Sequence, residues 1–546
     1  MVELSDRTVL QSACPLDCPD SCSLSVEVAG GRVVKVEGSR VNPLTQGFIC
    51  SKVRRFPEAL GGSERLLYPA VRRGRKGEGR FERVSWEVAL EMVAGRMAEV
   101  RERFGGEAIL PFSYGGSNGF LTQDTTDLRL WNRLGASRLA RTVCAAPSGR
   151  AAAGMYGKMP GVALQDFRCS KLIVLWGVNP SVTGIHLVPI LQEAQREGAR
   201  LVVVDPRRIP LAKRADLHLA PRPGTDLPVA LSVLRWLFET GQADWEFLGA
   251  HAEGAEELRW RAAPWTFARA AEVSGVPAED LERFARLYAE TSPAVVRAGW
   301  GLERNRNGGS AVAAVLALPA VAGKFGVRGG GYLMSNSAAW ELDRAAVAVE
   351  PAPATRVVNM NRLGEVLLEG RPAVHLLFVY NCNPVATMPD QERVRRGLER
   401  EDLFTVVLDP VATDTARYAD LVLPATTFFE HAELTNGYGA LVLHRIEPVI
   451  APMGEARPNF EVFAELCRRL DLVREGEPST AEELSRALLG RSSRVRDELD
   501  AAGIAAPECG SSPVQFADTF PRTCDWKVHL VPEALDREAP HGLYHF

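Results

Sequence analysis

Four cysteines crowd the first fifty residues of this chain. Cys14, Cys18, Cys22 and Cys50 follow a C-x3-C-x3-C-x27-C spacing. Three close thiolates can wrap one face of a compact metal centre while the fourth returns after an excursion. Four thiolates suit either a [4Fe–4S] cluster or a structural zinc. Zinc sites usually arrive as two close pairs, so the three-plus-one spacing favours the cluster. Lys52 follows Cys50 by two residues. It reads as a solvated cation at a helix start or as a cationic bridge between the cluster and a second redox group.

A second set of polar residues recurs at an offset of 204. Leu172–Trp176 runs into Gly177-Val-Asn179-Pro180, and Leu376–Tyr380 runs into Asn381-Cys-Asn383-Pro384. From each Asn, 26 residues lead to a second apolar run ending in Asp-Pro, at Asp205 and Asp409. Ala-Asp-Leu then opens a third run, at Ala215 and at Ala419. Asn can bond a phosphate, a ribose or a base edge, and a carboxylate can take ribose hydroxyls or the donor edge of a guanine. Asn-Pro and Asp-Pro are also ordinary turn chemistry. Recurrence of all three elements at one offset favours two like sites for two like ligands.

The elements that must position these groups are legible. Leu24, Val26 and Val28 alternate, Gly30-Gly31 turns, and Val33, Val34 and Val36 return. That is a β-hairpin signal, and it can bring Cys50 back beside the first three cysteines. The short continuous apolar runs of the repeat are buried parallel strands of doubly wound α/β sheets, whose carboxyl ends bind nucleotides. Each half is expected to open with a strand and a glycine loop: Ala108–Leu110 before Gly115-Gly116-Ser-Asn118-Gly119, and Val295-Val296 before Gly299-Trp-Gly301. Such loops let a backbone approach a phosphate, although neither is a Walker motif or a full dinucleotide fingerprint.

Bulk properties exclude several classes. A net charge of -4 and a pI near 6.2 argue against a general nucleic-acid binder. The opening MVELSDRTVL shows no export signal, and the longest apolar stretch, Ala311–Gly323, is too short for a bilayer and contains Pro319. A cytoplasmic protein is expected, with thiols reduced rather than paired as disulfides.

Together these motifs resemble the DMSO reductase family of molybdenum or tungsten bis-pterin oxidoreductases. The resemblance implies an α/β fold with a small β-rich [4Fe–4S] domain over 1–66. Two related doubly wound, Rossmann-like domains follow in a pseudo-twofold arrangement, one discontinuous over 67–140 and 346–455, the other over 141–345. A helical segment and tail fill 456–546. It implies a [4Fe–4S] cluster on the four cysteines, Lys52 at a bridging basic position, and a bis(molybdopterin guanine dinucleotide) cofactor. Asp205, Arg207, Gly224 and Asp226 resemble the segment for one dinucleotide, and Asn383 with the run Asp409–Thr415, Thr413 included, resembles that for the other; the repeat adds Asn179, and the glycine loop adds Gly116 and Asn118, as cofactor-binding candidates. Ala419–Pro424, Glu430 and Asn436 match another family stretch. Cys144 falls where the family supplies a protein ligand to the metal, a soft donor for a sulfur-rich centre. Cys169, Cys382, Cys467, Cys509 and Cys524 are read as small buried hydrophobes. Arg141, Arg150 and His186 are read first as surface or packing residues.

Two departures from the family matter. Formate dehydrogenases place His after the metal ligand, and here Ala145 stands there, which counts against formate. The family's closing β-rich domain is expected to be missing, as a truncation, a separate chain or a real absence. The function implied is a catalytic subunit acting on a small molecule and passing electrons through its cluster to a separate protein. A non-catalytic scaffold of the same fold and a non-redox hydratase are the alternatives.

Overall fold

The structure, a computed structural model, describes residues 7–305, 308–348, 352–490 and 492–532. Strands Arg7–Ala13, Ser23–Ala29 and Arg32–Gly38 form a three-stranded antiparallel sheet. Gly30 and Gly31 take left-handed conformations at its hairpin turn, as a tight two-residue connection requires. Leu24, Val26 and Val36 face inward from this sheet and are fully buried.

Two larger sheets follow. The first runs in the order Leu217–Leu219, Arg200–Val204, Leu172–Trp176, Ala294–Ala298, Gly331–Leu333, all parallel. Its strands lie in one continuous stretch of chain, and we call it the contiguous half. The second runs Phe81–Arg83, Ala70–Arg72, Leu421–Pro424, Phe404–Asp409, Leu376–Tyr380, Ile109–Ser113. Its last four strands are parallel and its first two antiparallel, and its residues come from two separated stretches. We call it the split half.

The 204-residue offset is visible strand by strand. Leu172–Trp176 and Leu376–Tyr380 are interior strands of their sheets, fully buried as continuous apolar runs demand. Asp216 and Asp420 turn out to be structural. Each carboxylate accepts the backbone N–H of the preceding strand's start, Leu201 at 2.8 Å and Thr405 at 2.7 Å. One expectation needs correction. Ile109–Ser113 precedes its half's repeat strands, but Ala294–Ala298 follows them in the chain, so it does not open the contiguous half. Both strands still lie beside the first repeat strand, Ile109–Ser113 as an edge strand and Ala294–Ala298 with Gly331–Leu333 beyond it, because sheet position is set by crossover connections rather than chain order.

Helix Gly308–Val321 is buried along its whole length and forms the centre of the contiguous half's core. Its length and Pro319 suit a core helix, and among the described residues no helix is long and apolar enough to cross a membrane. The C-terminal region holds helices Asn459–Arg469, Ala481–Leu488 and Ser493–Ala502, the second closed by a Thr480–Glu483 capping box. The chain then crosses back to the contiguous half, where Val528–His529 pairs with Ala252–Glu253.

Candidate functional site

The four N-terminal cysteines converge on one cavity, lined also by Asp17, Asp20, Lys52 and Val182. The loop that carries them is closed by the Cys14 N–H donating to the Cys22 carbonyl at 2.9 Å. Elements from elsewhere clamp it. The His186 ring meets Asp20 Oδ2 and the Phe48 carbonyl at 2.8 Å each and lies 3.9 Å from Cys22 Sγ. His444 Nε2 donates to the Ser21 carbonyl at 3.0 Å, and Asn42 Nδ2 to the same oxygen at 2.7 Å. Gly437 packs so closely on Pro19 that a Cβ there would meet the Pro19 carbonyl at 2.5 Å. Burial pushes the Cys14 thiol up to about 12 and raises Cys18 and Cys22 as well. Thiols gathered in such surroundings ionise only with a cation among them, and that donor set fits an iron–sulfur centre. No disulfide joins any of the cysteines.

Asp17 lines a second, larger cavity as well, of about 1110 Å³, where it stands with Tyr114, Asn118, Arg141 and Cys144. Cys144 lies just before helix Ala146–Tyr156, with Ala145 left-handed at the N-cap. The residues after strand Ala294–Ala298 hold it there. Arg304 Nη2 donates to Cys144 Sγ at 3.1 Å, and its other nitrogen donates to the Val143 carbonyl. Glu303 Oε2 accepts the Ser148 N–H at 3.1 Å in the helix's first turn. Burial first, then the adjacent Cys144 sulfur, raises the Tyr114 phenol above its ordinary value. Burial also raises Asp17, against the lowering pull of Asn118, Lys52 and Arg304. Arg141 pairs with Asp124 at 2.8 Å in the cavity wall, whereas Arg150 is exposed on the helix surface.

The third cavity, about 530 Å³, lies at the carboxyl ends of the contiguous half's strands. Asn179, Asp205, Arg207, Gly224 and Asp226 all line it, as do Trp300, Arg304 and Tyr438. Trp300 and Tyr438 border the large cavity too, so the two spaces adjoin. Asp205 Oδ1 accepts the Arg207 N–H at 2.8 Å, the turn chemistry expected of Asp-Pro. Asp226 Oδ1 accepts from buried Trp176 Nε1 at 2.8 Å, and burial pushes its carboxyl up to about 6. Asn179 Oδ1 is buried without a hydrogen-bond partner. An acceptor left in that state costs about 1–3 kcal/mol, which a donating ligand group recovers. Gly299 and Gly301 are required by the close approach of Gly177, whose carbonyl a Cβ at either would strike.

In the split half the corresponding groups are engaged within the protein. Asn383 Oδ1 accepts from the Thr415 hydroxyl at 2.7 Å and the Thr415 N–H at 3.2 Å, and its Nδ2 donates to Asp414 at 3.2 Å. Asp409 Oδ1 accepts the Val411 N–H at 3.0 Å, and burial pushes its carboxyl up to about 7. Thr413 Oγ1 accepts the Ala416 N–H at 3.2 Å. The counterpart of Asp226 at the repeat offset is Glu430, held by a buried, two-pronged ion pair with Arg65 at 2.8–2.9 Å. Arg65 also donates to the Pro410 and Ala425 carbonyls at 2.9 Å each, tying the strand ends together. Asn381, the counterpart of Gly177, is likewise left-handed, and Gly116 packs against its carbonyl as Gly301 does against Gly177's. Gly116 therefore serves this close approach, while Asn118 faces the large cavity.

Residues 65–469 match the molybdopterin oxidoreductase family model, and residues 7–60 match that family's Fe4S4 domain. The chain belongs to the DMSO reductase family. Among its relatives is a probable oxidoreductase of Bacillus subtilis (strain 168), YoaE, 37% identical over 88% of this chain and 71% of that one. Dimethyl sulfoxide reductase DmsA of Escherichia coli (strain K12) is 27% identical over 91% of this chain and 68% of its own. The fold is that of acetylene hydratase from Pelobacter acetylenicus, with a TM-score of 0.83 over 98% of this chain and 79% of that one, at 22% identity.

Membership in the DMSO reductase family assigns the chain a [4Fe–4S] cluster and a molybdopterin cofactor. The residues of the two larger cavities fit such a cofactor: an orphaned buried acceptor at Asn179, glycine-lined loops, and a thiol at Cys144 as soft donor. Sequence reasoning missed Asp17, Tyr114, Trp300 and Arg304 as wall residues. Asp17 had a signal, lying inside the cysteine motif, and Arg304 had a weaker one, just beyond the Gly299–Gly301 loop. Arg65 had none, because only the fold brings it to strands 345 residues away.

Proposed function

We propose that this chain is the catalytic subunit of a bis-pterin oxidoreductase acting on a small molecule. Cys144 would be the protein ligand to molybdenum or tungsten, and each α/β half would hold one guanine dinucleotide arm. The observation that carries this reading is the continuity of the cavities. Asp17 and its neighbours join the four-cysteine cavity to the space around Cys144, and Trp300 and Tyr438 join that space to the crevice of Asn179 and Asp226. A bound metal centre would supply two-electron chemistry, and the cluster would relay single electrons to a partner protein.

The chain's own residues have definable parts in this. Arg304 orients the Cys144 sulfur, and Glu303 fixes the helix start behind it. Lys52 lines the cluster cavity and acts electrostatically on both Cys14 and Asp17, which suits it to the boundary between the two centres. Tyr114 and Asp17, both raised by burial, are placed to hold protons at the cavity wall. Ala145 in place of a histidine disfavours formate. The same Asp17 carboxyl would serve a hydratase, so turnover that needs no electron acceptor is the outcome that would favour that second reading.

The test is Cys144→Ala in cofactor-loaded protein. Turnover should be abolished, the molybdenum(V) resonance altered, and the cluster's spectrum left nearly unchanged. Retained activity would assign Cys144 to packing alone.

A further inference from the structure

We propose that the cofactor-free chain receives the two nucleotide arms in order, the contiguous half first, because Asn179 stands ready for a ligand while its counterpart Asn383 is latched. The inference rests on the reading of both halves as nucleotide sites and adds an order to it.

The cause of the difference lies 32 residues downstream of each asparagine. Short helices Ala212–Arg214 and Ala416–Tyr418 occupy matching places, 204 residues apart. The residue before the second is Thr415, whose hydroxyl donates to Asn383 and accepts the Val385 N–H at 3.1 Å. The residue before the first is Leu211, also buried but with no polar atom in its side chain to offer. Asp414, which accepts from Asn383 Nδ2, is matched by Pro210, which cannot. Asn179 Oδ1 is thereby left without a donor beside a cavity of about 530 Å³ whose wall also carries Asp205 and Asp226. A nucleotide entering there gains a hydrogen bond and breaks none of Asn179's. One entering the split half must first displace the Thr415 hydroxyl, and the carboxylate matching Asp226 is already committed to Arg65. Guanine is the base that suits the open wall, since adjacent N–H donors on its edge complement the Asp226 carboxylate.

The experiment is calorimetric titration of the cluster-loaded, pterin-free full chain with GDP. One site per chain is expected. Asn179→Ala should weaken it about tenfold, the factor that corresponds to one hydrogen bond of ordinary worth. Leu211→Thr, which gives Asn179 an internal donor, should weaken it to a similar degree, and Thr415→Val, which removes the shorter of the two bonds Thr415 makes to Asn383, should bring a second, weaker site into range. Unchanged cluster absorbance and circular dichroism would certify each variant as folded. Two equivalent sites in the unaltered chain, or one site that responds to Thr415→Val but not to Asn179→Ala, would overturn the order while leaving the nucleotide reading intact. Failure to bind GDP at all would overturn both.

Discussion

The contiguous and split halves share the order of four parallel strands, down to the left-handed residue after the first repeat strand, but their crevices are kept in different ways. At the strand ends of the contiguous half, polar groups line an open space and one of them, Asn179, lacks a partner. The same strand ends in the split half are tied by Arg65, Glu430 and Thr415. The repeated backbone therefore does not fix what a crevice is for. That is decided by a few residues in the second rank, and Leu211 against Thr415 is the clearest instance.

The largest effect that would break this comparison is on stability. Glu430→Ala would strand Arg65 in the interior without its carboxylate, and removing one partner of a buried pair costs about 3–5 kcal/mol. The counterpart change, Asp226→Ala, removes a carboxylate with a single side-chain bond, to Trp176, and should cost much less. Thermal unfolding of the two variants without cofactor should rank them clearly. Equal losses would mean that Arg65 and Glu430 do not carry the split half as the structure indicates.

A smaller effect concerns pH. Asp409 is buried and its carboxyl is held up to about 7, well above the usual carboxylate range. The sign follows from linkage: the folded chain holds this proton where the unfolded chain has released it. The stabilising contribution is complete below about pH 4, declines as pH rises toward 7, and is gone above. Asp409→Asn keeps an oxygen for the Val411 N–H and has no proton to lose. It should be more stable than the unaltered protein by on the order of 1–3 kcal/mol at pH 8 and little different at pH 4.5. A stability difference that does not vary between these pH values would show that Asp409 is already compensated.

Much of this was legible in the sequence, and the limits have physical causes. The cysteine spacing, the hairpin and the repeat predicted their elements because each is a local pattern whose hydrogen bonds or apolar faces lie within a few residues. Asp216 and Asp420 recur for a structural reason, capping a neighbouring strand, which spacing cannot tell from ligand binding. Asn179 and Asn383 read alike because the residues that separate their fates are 32 positions downstream and come into play only when the helix folds back. The placing of Ala294–Ala298 went wrong because a parallel strand can enter a sheet at any point in chain order. Arg65 and Arg304 act on groups more than 150 residues distant, and no sequence pattern announces that.

The finest test compares the two asparagines directly in cofactor-free protein. Asn383→Ala removes the acceptor for the Thr415 hydroxyl and N–H, and it also deletes the Asp414 bond. Part of that loss is recovered by water, since Asn383 is only half-buried, so a destabilisation of about 1 kcal/mol is expected. Asn179→Ala removes an acceptor that has no partner, and burying it costs the folded state rather than helping it. Its removal should leave stability unchanged or raise it by a few tenths of a kcal/mol. Saturating GDP should then close most or all of that gap, because only the Asn179 variant forfeits a contact with the ligand, worth about 1.4 kcal/mol for a tenfold loss. Chemical denaturation of both variants, with and without the nucleotide, measures all four quantities. A destabilised Asn179→Ala in the absence of nucleotide would mean that the side chain already has a structural partner, and the contrast between the halves would reduce to the Arg65–Glu430 pair.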